Sequence, residues 1–363
     1  QSVIRRCPLT SGMVKTMQRL ALLCGLAGWP LYAAALPLCA GVDEQAARFD
    51  QGVLNDTARL LAGLELPADS RLGALVPAGA LAKHQQTLGA SWAELRQRQL
   101  DPARAFARAE LGTPGPRRVY YPFSGPDALY LLTMFPDVEQ SLLTGLEPIG
   151  SVPVLAGQSG DAIAAGLAEV RKSLYAILSF SFFRTNDLTV DLRRSRFSGV
   201  TPILFVFLAE AGYAIIDVRY VLLPPSGQAC QADEAMVAKP PAGTLAGVEI
   251  EYFLPGDTGF RKLTYYTADL VDGGLKRTPQ YLDAVRALDP QARYIKSASY
   301  LMYRAHFSVV RKLILDESEL VMQDDSGLPH AWFRPELWEA TLYGRYGSPI
   351  PLFSNWTQPG LRR

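Results

Sequence analysis

The chain has 363 residues, with 36 basic and 35 acidic side chains and a formal charge of +1. That balance leaves no electrostatic footprint for nucleic acid or for an anionic membrane surface. Hydrophobic residues make up 48% of the chain, enough for a sizeable core and too many for a disordered one.

Residues 13–40 read as an export signal. Lys15 and Arg19 precede the apolar run Leu20 to Trp29, Pro30 breaks it, and Ala33 to Ala35 offers a cleavage site. The alternative, a retained anchor, needs about 20 apolar residues. This run is shorter and contains Gly25 and Gly28. Residues 1–12 precede the starts available at Met13 and Met17 and are expected to lie outside the fold. The mature protein is thus placed in the periplasm or outside the cell, touching a membrane only through an uncleaved signal. Nicotinamide cofactors, ATP and S-adenosylmethionine are scarce there.

Cys39 and Cys230 remain if cleavage follows Ala35, and an oxidising compartment permits them to pair. Two free thiols, or loss of Cys39 by cleavage after Ala40, are the alternatives. Two remaining cysteines and three histidines argue against a zinc site.

In chain order, Asp43 to Leu61 carries a helical stripe, and Ala78 to Leu111 forms a second helical region that Pro114-Gly-Pro116 ends. Arg117 to Tyr121 is β-prone, Pro126 to Phe135 helical, and Ser141 to Leu146 a strand. Ser159 can cap a helix running toward Phe183. Val200 to Ala211 reads as an apolar helix and Tyr213 to Leu223 as a buried strand; Glu210, Asp217 and Arg219 argue against a membrane span. Val248 to Phe253 and Lys262 to Ala268 alternate around Leu254 to Gly259, which predicts a hairpin with one wet face. A helix (279–288), a strand (292–296), a helix from Ser297 to Leu315 and a strand (319–323) follow, and the aromatic, proline-rich tail is expected to wrap the surface.

This alternation predicts an α/β fold: a Rossmann-like mixed, mostly parallel sheet with helices on both faces. No flexible linker or repeat divides the chain. Residues 1–35 form the upstream and signal part, 36–116 a helical extension, and 117–363 one α/β domain.

Ligands of open parallel sheets bind beyond the carboxyl ends of the strands. The residues expected there are Ser124, Gly125 and Asp127 after the first strand, Glu147 after the second, and Lys296, Asp324, Asp325 and Ser326 after the later ones. Arg184, Asn186 and Asp187 form a polar turn able to bind an anion. Asp127, Glu147, Lys296, Asp324 and Asp325 are the candidates for chemistry, either as a general acid–base pair or as oxygen ligands for a metal. Many of these residue types also serve simply as turn and cap residues. A Ser-His-Asp triad would require Ser124 or Ser326 with His306 or His330, and His330, after a turn, is the better histidine.

Two resemblances bear on function. Val119 to Asp127, with Leu142 to Glu147, resembles the opening of a Rossmann-like methyltransferase over residues 117–150. In that family a strand enters a glycine loop and an acid ending the next strand holds a ribose. Glu147 lies 22 residues after Gly125, near the spacing of about 20 for such an acid, although one glycine and two prolines stand where the family has several glycines. The strings Tyr120-Tyr-Pro-Phe-Ser-Gly-Pro-Asp127, Gly145-Leu-Glu-Pro148, Phe182-Phe-Arg-Thr-Asn-Asp187, Lys296-Ser-Ala-Ser-Tyr-Leu301 and Gln323-Asp-Asp-Ser-Gly327 resemble a family of uncharacterised exported bacterial proteins, which implies a shared fold and no particular activity. Three functions follow as expectations: an exported binding or degenerate enzyme-like domain for a small molecule, a periplasmic hydrolase using the Asp/Glu cluster with or without a metal, and a methyltransferase if the chain is not exported. No cofactor is assigned.

Overall fold

The computed structural model describes residues 2–7, 36–42, 49–180, 197–298, 301–324 and 326–342. Among the described residues ten strands join in one sheet: β1 (Ser2–Arg6), β2 (Arg118–Tyr121), β3 (Gln140–Gly145), β4 (Ala214–Leu223), β5 (Cys230–Ala232), β6 (Leu245–Phe253), β7 (Phe260–Thr267), β8 (Ala292–Ile295), β9 (Leu320–Gln323) and β10 (Trp338–Leu342). Their order is β10-β1-β9-β8-β2-β3-β7-β6-β4-β5. The helices are α1 (Gln51–Leu61), α2 (Ala78–Leu95), α3 (Asp101–Leu111), α4 (Ala128–Met134), α5 (Gly160–Phe180), α6 (Thr201–Glu210), α7 (Glu234–Ala238), α8 (Asp272–Arg277), α9 (Gln280–Leu288) and α10 (Ser308–Glu317).

The five central strands, β9-β8-β2-β3-β7, run parallel. In chain order they are the fifth, fourth, first, second and third of that set, so the order reverses between β2 and β8. Strands β1 and β10 on one side, and β6, β4 and β5 on the other, pair antiparallel. Among the described residues four strand pairings are parallel and five antiparallel. The α/β class therefore stands, and the expectation of a mostly parallel sheet is corrected. Between β3 and β7 the chain does not return through repeated helical crossovers. After α5 and α6 it lays down β4, β5 and β6; the short connections 224–229, between β4 and β5, and 254–259, between β6 and β7, allow only the antiparallel sense.

Alternation along the strands feeds a core on each face. Val119 and Tyr121 of β2 and Leu143 of β3 point toward a cluster shared with α1, α2, α4 and α6. Tyr120 and Leu142 point the other way, toward Tyr281 and Val285 of α9 and Val310 and Ile314 of α10. Helix α6 is buried from Thr201 to Ala209, which explains its unbroken apolar sequence: it lies inside the protein. No helix among the described residues is long and apolar enough to cross a membrane.

Several expectations change. Ser2–Arg6 is no remnant outside the fold. It is a strand inserted between β9 and β10 with Val3 and Ile4 buried on opposite faces. The helix expected from Ser297 begins only at Ser308. Arg304 is extended at φ −71°, ψ 146°, and Asp272 accepts hydrogen bonds from Val309 N (2.9 Å) and Ser308 Oγ (2.6 Å), fixing the helix start. The tail expected to wrap the surface contributes β10, and residues 224–241, although rich in proline, contain β5 and α7. Of the alternatives left open for Cys39 and Cys230, the paired one is present: they form a disulfide. Beside it, Cys39 N donates to Gln231 O and Gln231 N to Pro37 O, both at 2.8 Å, so residues 36–39 lie along β5. Of the segment 13–40 read as an export signal, residues 13–35 lie outside the described residues.

Candidate functional site

The candidate site lies where strand order reverses. Strand β2 stops at Tyr121 because Pro122 has no N–H to continue the ladder. Phe123 and Gly125 then take left-handed conformations, φ 58° and 52°, and turn the chain against the end of β3. There Ser124 Oγ accepts from Thr144 N (3.0 Å), and Gly125 N donates to Thr144 O (3.3 Å). An aromatic residue at positive φ is costly; Phe123 is retained there with its ring edge-on to Phe307, 5.6 Å between centres.

Asp127 starts α4 as its cap, Oδ1 accepting from Tyr130 N at 3.1 Å. Its Oδ2 accepts from Lys296 Nζ at 2.8 Å and from Tyr121 Oη at 2.9 Å. Lys296 comes from the end of β8, across the reversal, and its ammonium also lies 4.0 Å from the centre of the Tyr130 ring. Both side chains of this ion pair are 4% exposed. Burial, reinforced by Asp127, holds the Tyr121 hydroxyl well above the usual phenol range. Removing one partner of such a pair strands a charge in a dry interior, which costs far more than the pair contributes to stability.

Glu147, after β3, turns inward. Tyr265 Oη donates to Glu147 Oε2 at 3.2 Å, and burial pushes the carboxyl up from its ordinary range. The carboxyl fills the corner between two glycines. A Cβ at Gly145 would come within 2.2 Å of Glu147 Oε2 and 2.9 Å of Gly125 Cα, and one at Gly125 within 3.4 Å of both carboxylate oxygens. Only glycine at position 145 permits this close approach.

At the end of β9, Asp324 Oδ2 accepts from Ser297 N (2.8 Å), and Oδ1 accepts from Ser326 N (2.9 Å) and Ser326 Oγ (2.6 Å). This carboxylate ties β9 to the residue after Lys296, and Ser297 is itself left-handed at φ 55°.

Of the expected site residues, the structure brings Asp127 and Lys296 into contact, joins Asp324 to Ser326 and Ser297, and sets Gly125 against Glu147. Ser124 is spent on Thr144. Asp325, Arg184, Asn186 and Asp187 lie outside the described residues. The triad does not assemble: the Ser124 and Ser326 hydroxyls bond to Thr144 and Asp324, and His306 is exposed in a 3-10 turn. His330 has its ring Nε2 buried without a hydrogen-bond partner, and burial lowers its pKa. Among the described residues no group of three or more His, Cys, Asp or Glu side chains could hold a metal ion.

Sequence reasoning missed Tyr121, Tyr130 and Tyr265. One signal was available: Tyr130 lies three residues after Asp127, the spacing at which a capping carboxylate receives a backbone N–H.

A nucleotide-type cofactor of the kind the methyltransferase resemblance implies needs an open glycine cradle and an acid directed outward. Here the Glu147 carboxyl occupies the corner beside Gly125, so these residues do not fit it in this arrangement. Comparison with family models, with curated proteins and with solved structures finds no match.

Proposed function

We propose that this chain is an exported, Rossmann-like domain that holds a small ligand at its carboxyl strand edge and does not turn it over. One arrangement carries the reading. Two non-glycine residues, Phe123 and Ser297, are kept left-handed on either side of the reversal in strand order, and the buried Lys296–Asp127 pair joins the two sides. Such strain persists where the surroundings over-determine it, and that is characteristic of ligand sites. The reversal of strand order is where open α/β sheets bind ligands. Against catalysis, Asp127, Glu147 and Asp324 each direct their oxygens at other groups of the protein. Export is supported by the Cys39–Cys230 disulfide, which is compatible with an oxidising compartment.

The test is native mass spectrometry of the full chain recovered from the periplasm, with thermal shifts in S-adenosylmethionine, Mg2+ and Mn2+. A small molecule retained by the wild type and lost from Asp127→Asn supports the proposal. A saturable shift with S-adenosylmethionine would overturn it in favour of methyl transfer. A metal-dependent shift abolished by Asp324→Asn would overturn it in favour of hydrolysis.

A further inference from the structure

The helix pair α2–α3 is interrupted by a π turn, Arg96–Leu100. Such turns are uncommon and often mark functional sites. Among the described residues, two polar side-chain contacts run from it beyond the α2–α3 pair. Arg96 pairs with Glu210 at the end of α6. Gln99 accepts a hydrogen bond, through Oε1, from the hydroxyl of Tyr130.

Tyr130 is therefore held at both ends. Its backbone N–H is bound by Asp127 and its hydroxyl by Gln99, while Lys296 Nζ sits over the ring at 4.0 Å. The attraction of a cation for an aromatic face depends on the ring staying beneath it and on the electron density of that face. A phenol that donates its proton to Gln99 gains electron density on oxygen and ring alike, which strengthens the face under the ammonium. Fixing the hydroxyl also stops the ring from swinging away.

We propose that the π turn is part of the strand-edge site, with Gln99 as the positioning residue that holds Tyr130 as the platform for Lys296. The segment 78–111 then does more than pack: it sets the environment of the buried Lys296. This rests on the reading of Lys296 as a site group, and not on any ligand being found.

The test is competitive acetylation of the full chain without ligand, with Lys296 modification scored by mass spectrometry against exposed Lys239 and Lys276. Gln99→Leu and Tyr130→Phe should each raise the Lys296 rate about fivefold, the equivalent of one lost hydrogen bond. The double variant should add little to either, because both remove the same contact. Gln99→Glu keeps an acceptor and should restore the wild-type rate, and Arg98→Ala, on the exposed side of the turn, should leave it unchanged. An unaltered Lys296 rate in Gln99→Leu overturns the inference. So does a rise shared by Arg98→Ala, which would report general loosening of the helix. Ligand retention is measured separately, so loss of the binding proposal would leave this result readable.

Discussion

Replacing Glu210 by glutamine is expected to change the pH dependence of stability more than stability in acid. Glu210 ends α6 with its side chain 1% exposed; one oxygen meets Arg96 and the other, Oε2, is buried with no hydrogen-bond partner. Burial outweighs the arginine and pushes the carboxyl from 4.5 up to about 7. Between those values the folded state holds a proton that the unfolded state has released, so stability falls as pH rises, by about 1.4 kcal/mol per unit. Across the window this amounts to roughly 3 kcal/mol. His84 acts in the opposite sense. It is buried, with Nε2 on Leu61 O and Nδ1 accepting from Arg171, and burial lowers its pKa from 6.5 to about 4. The unfolded state then binds the extra proton, and stability rises with pH between about 4 and 6.5 at a similar slope. The two slopes offset each other between pH 4.5 and 6.5 in the wild type. Urea unfolding from pH 4.5 to 8 should show Glu210→Gln close to wild type at the acid end and more stable by roughly 3 kcal/mol at pH 8. The difference between the two curves isolates Glu210, because every other group, including Glu147, titrates in both proteins. Parallel curves would refute the reasoning and show that the carboxyl reaches solvent or a partner.

Three further outcomes are expected. Lys296→Met should destabilise by about 3–5 kcal/mol in urea, because Asp127 is left charged and buried, and Lys296→Met with Asp127→Asn should recover much of that loss; no recovery would mean that packing, not charge, sets the cost. Cys230→Ser removes a bridge spanning 191 residues and should lower stability by up to about 5 kcal/mol in the chain-entropy model. Non-reducing peptide mapping of wild-type protein recovered from an oxidising compartment should show Cys39 joined to Cys230, and two free thiols would contradict the bond.

The parts of this fold that could be read from sequence are those governed by local periodicity. The β6–β7 hairpin follows from alternation around Leu254 to Gly259, and a helix after β2 follows from the apolar run behind Pro126, although α4 starts two residues later than that reading, at Ala128 with Asp127 as its cap. Strand direction could not be read, because the same apolar run in β4 fits either orientation and only the neighbour it meets decides. Five residues at Ser2–Arg6 carry too little pattern to declare a strand, and their partners lie more than 300 positions away, at β9 and β10. For the site, polar residues after strand ends were legible as a set, since topology gathers them on one edge. Their pairing was not. Nothing in the sequence distinguishes a Glu147 that faces out from one folded into a glycine corner, and Gln99 reads as an ordinary exposed helix residue until the π turn carries it to Tyr130.

The placement of β1 has a consequence for the whole sheet. Among the described residues β10 pairs with β1 alone. A cut after Ala35 would leave the disulfide-tied arm clasped to β5 at one margin. At the other it would remove the strand that tethers β10 and lay open the flank of β9. Such a cut would remodel the sheet at the margin opposite the arm, because among the described residues β1 alone joins β10 to β9.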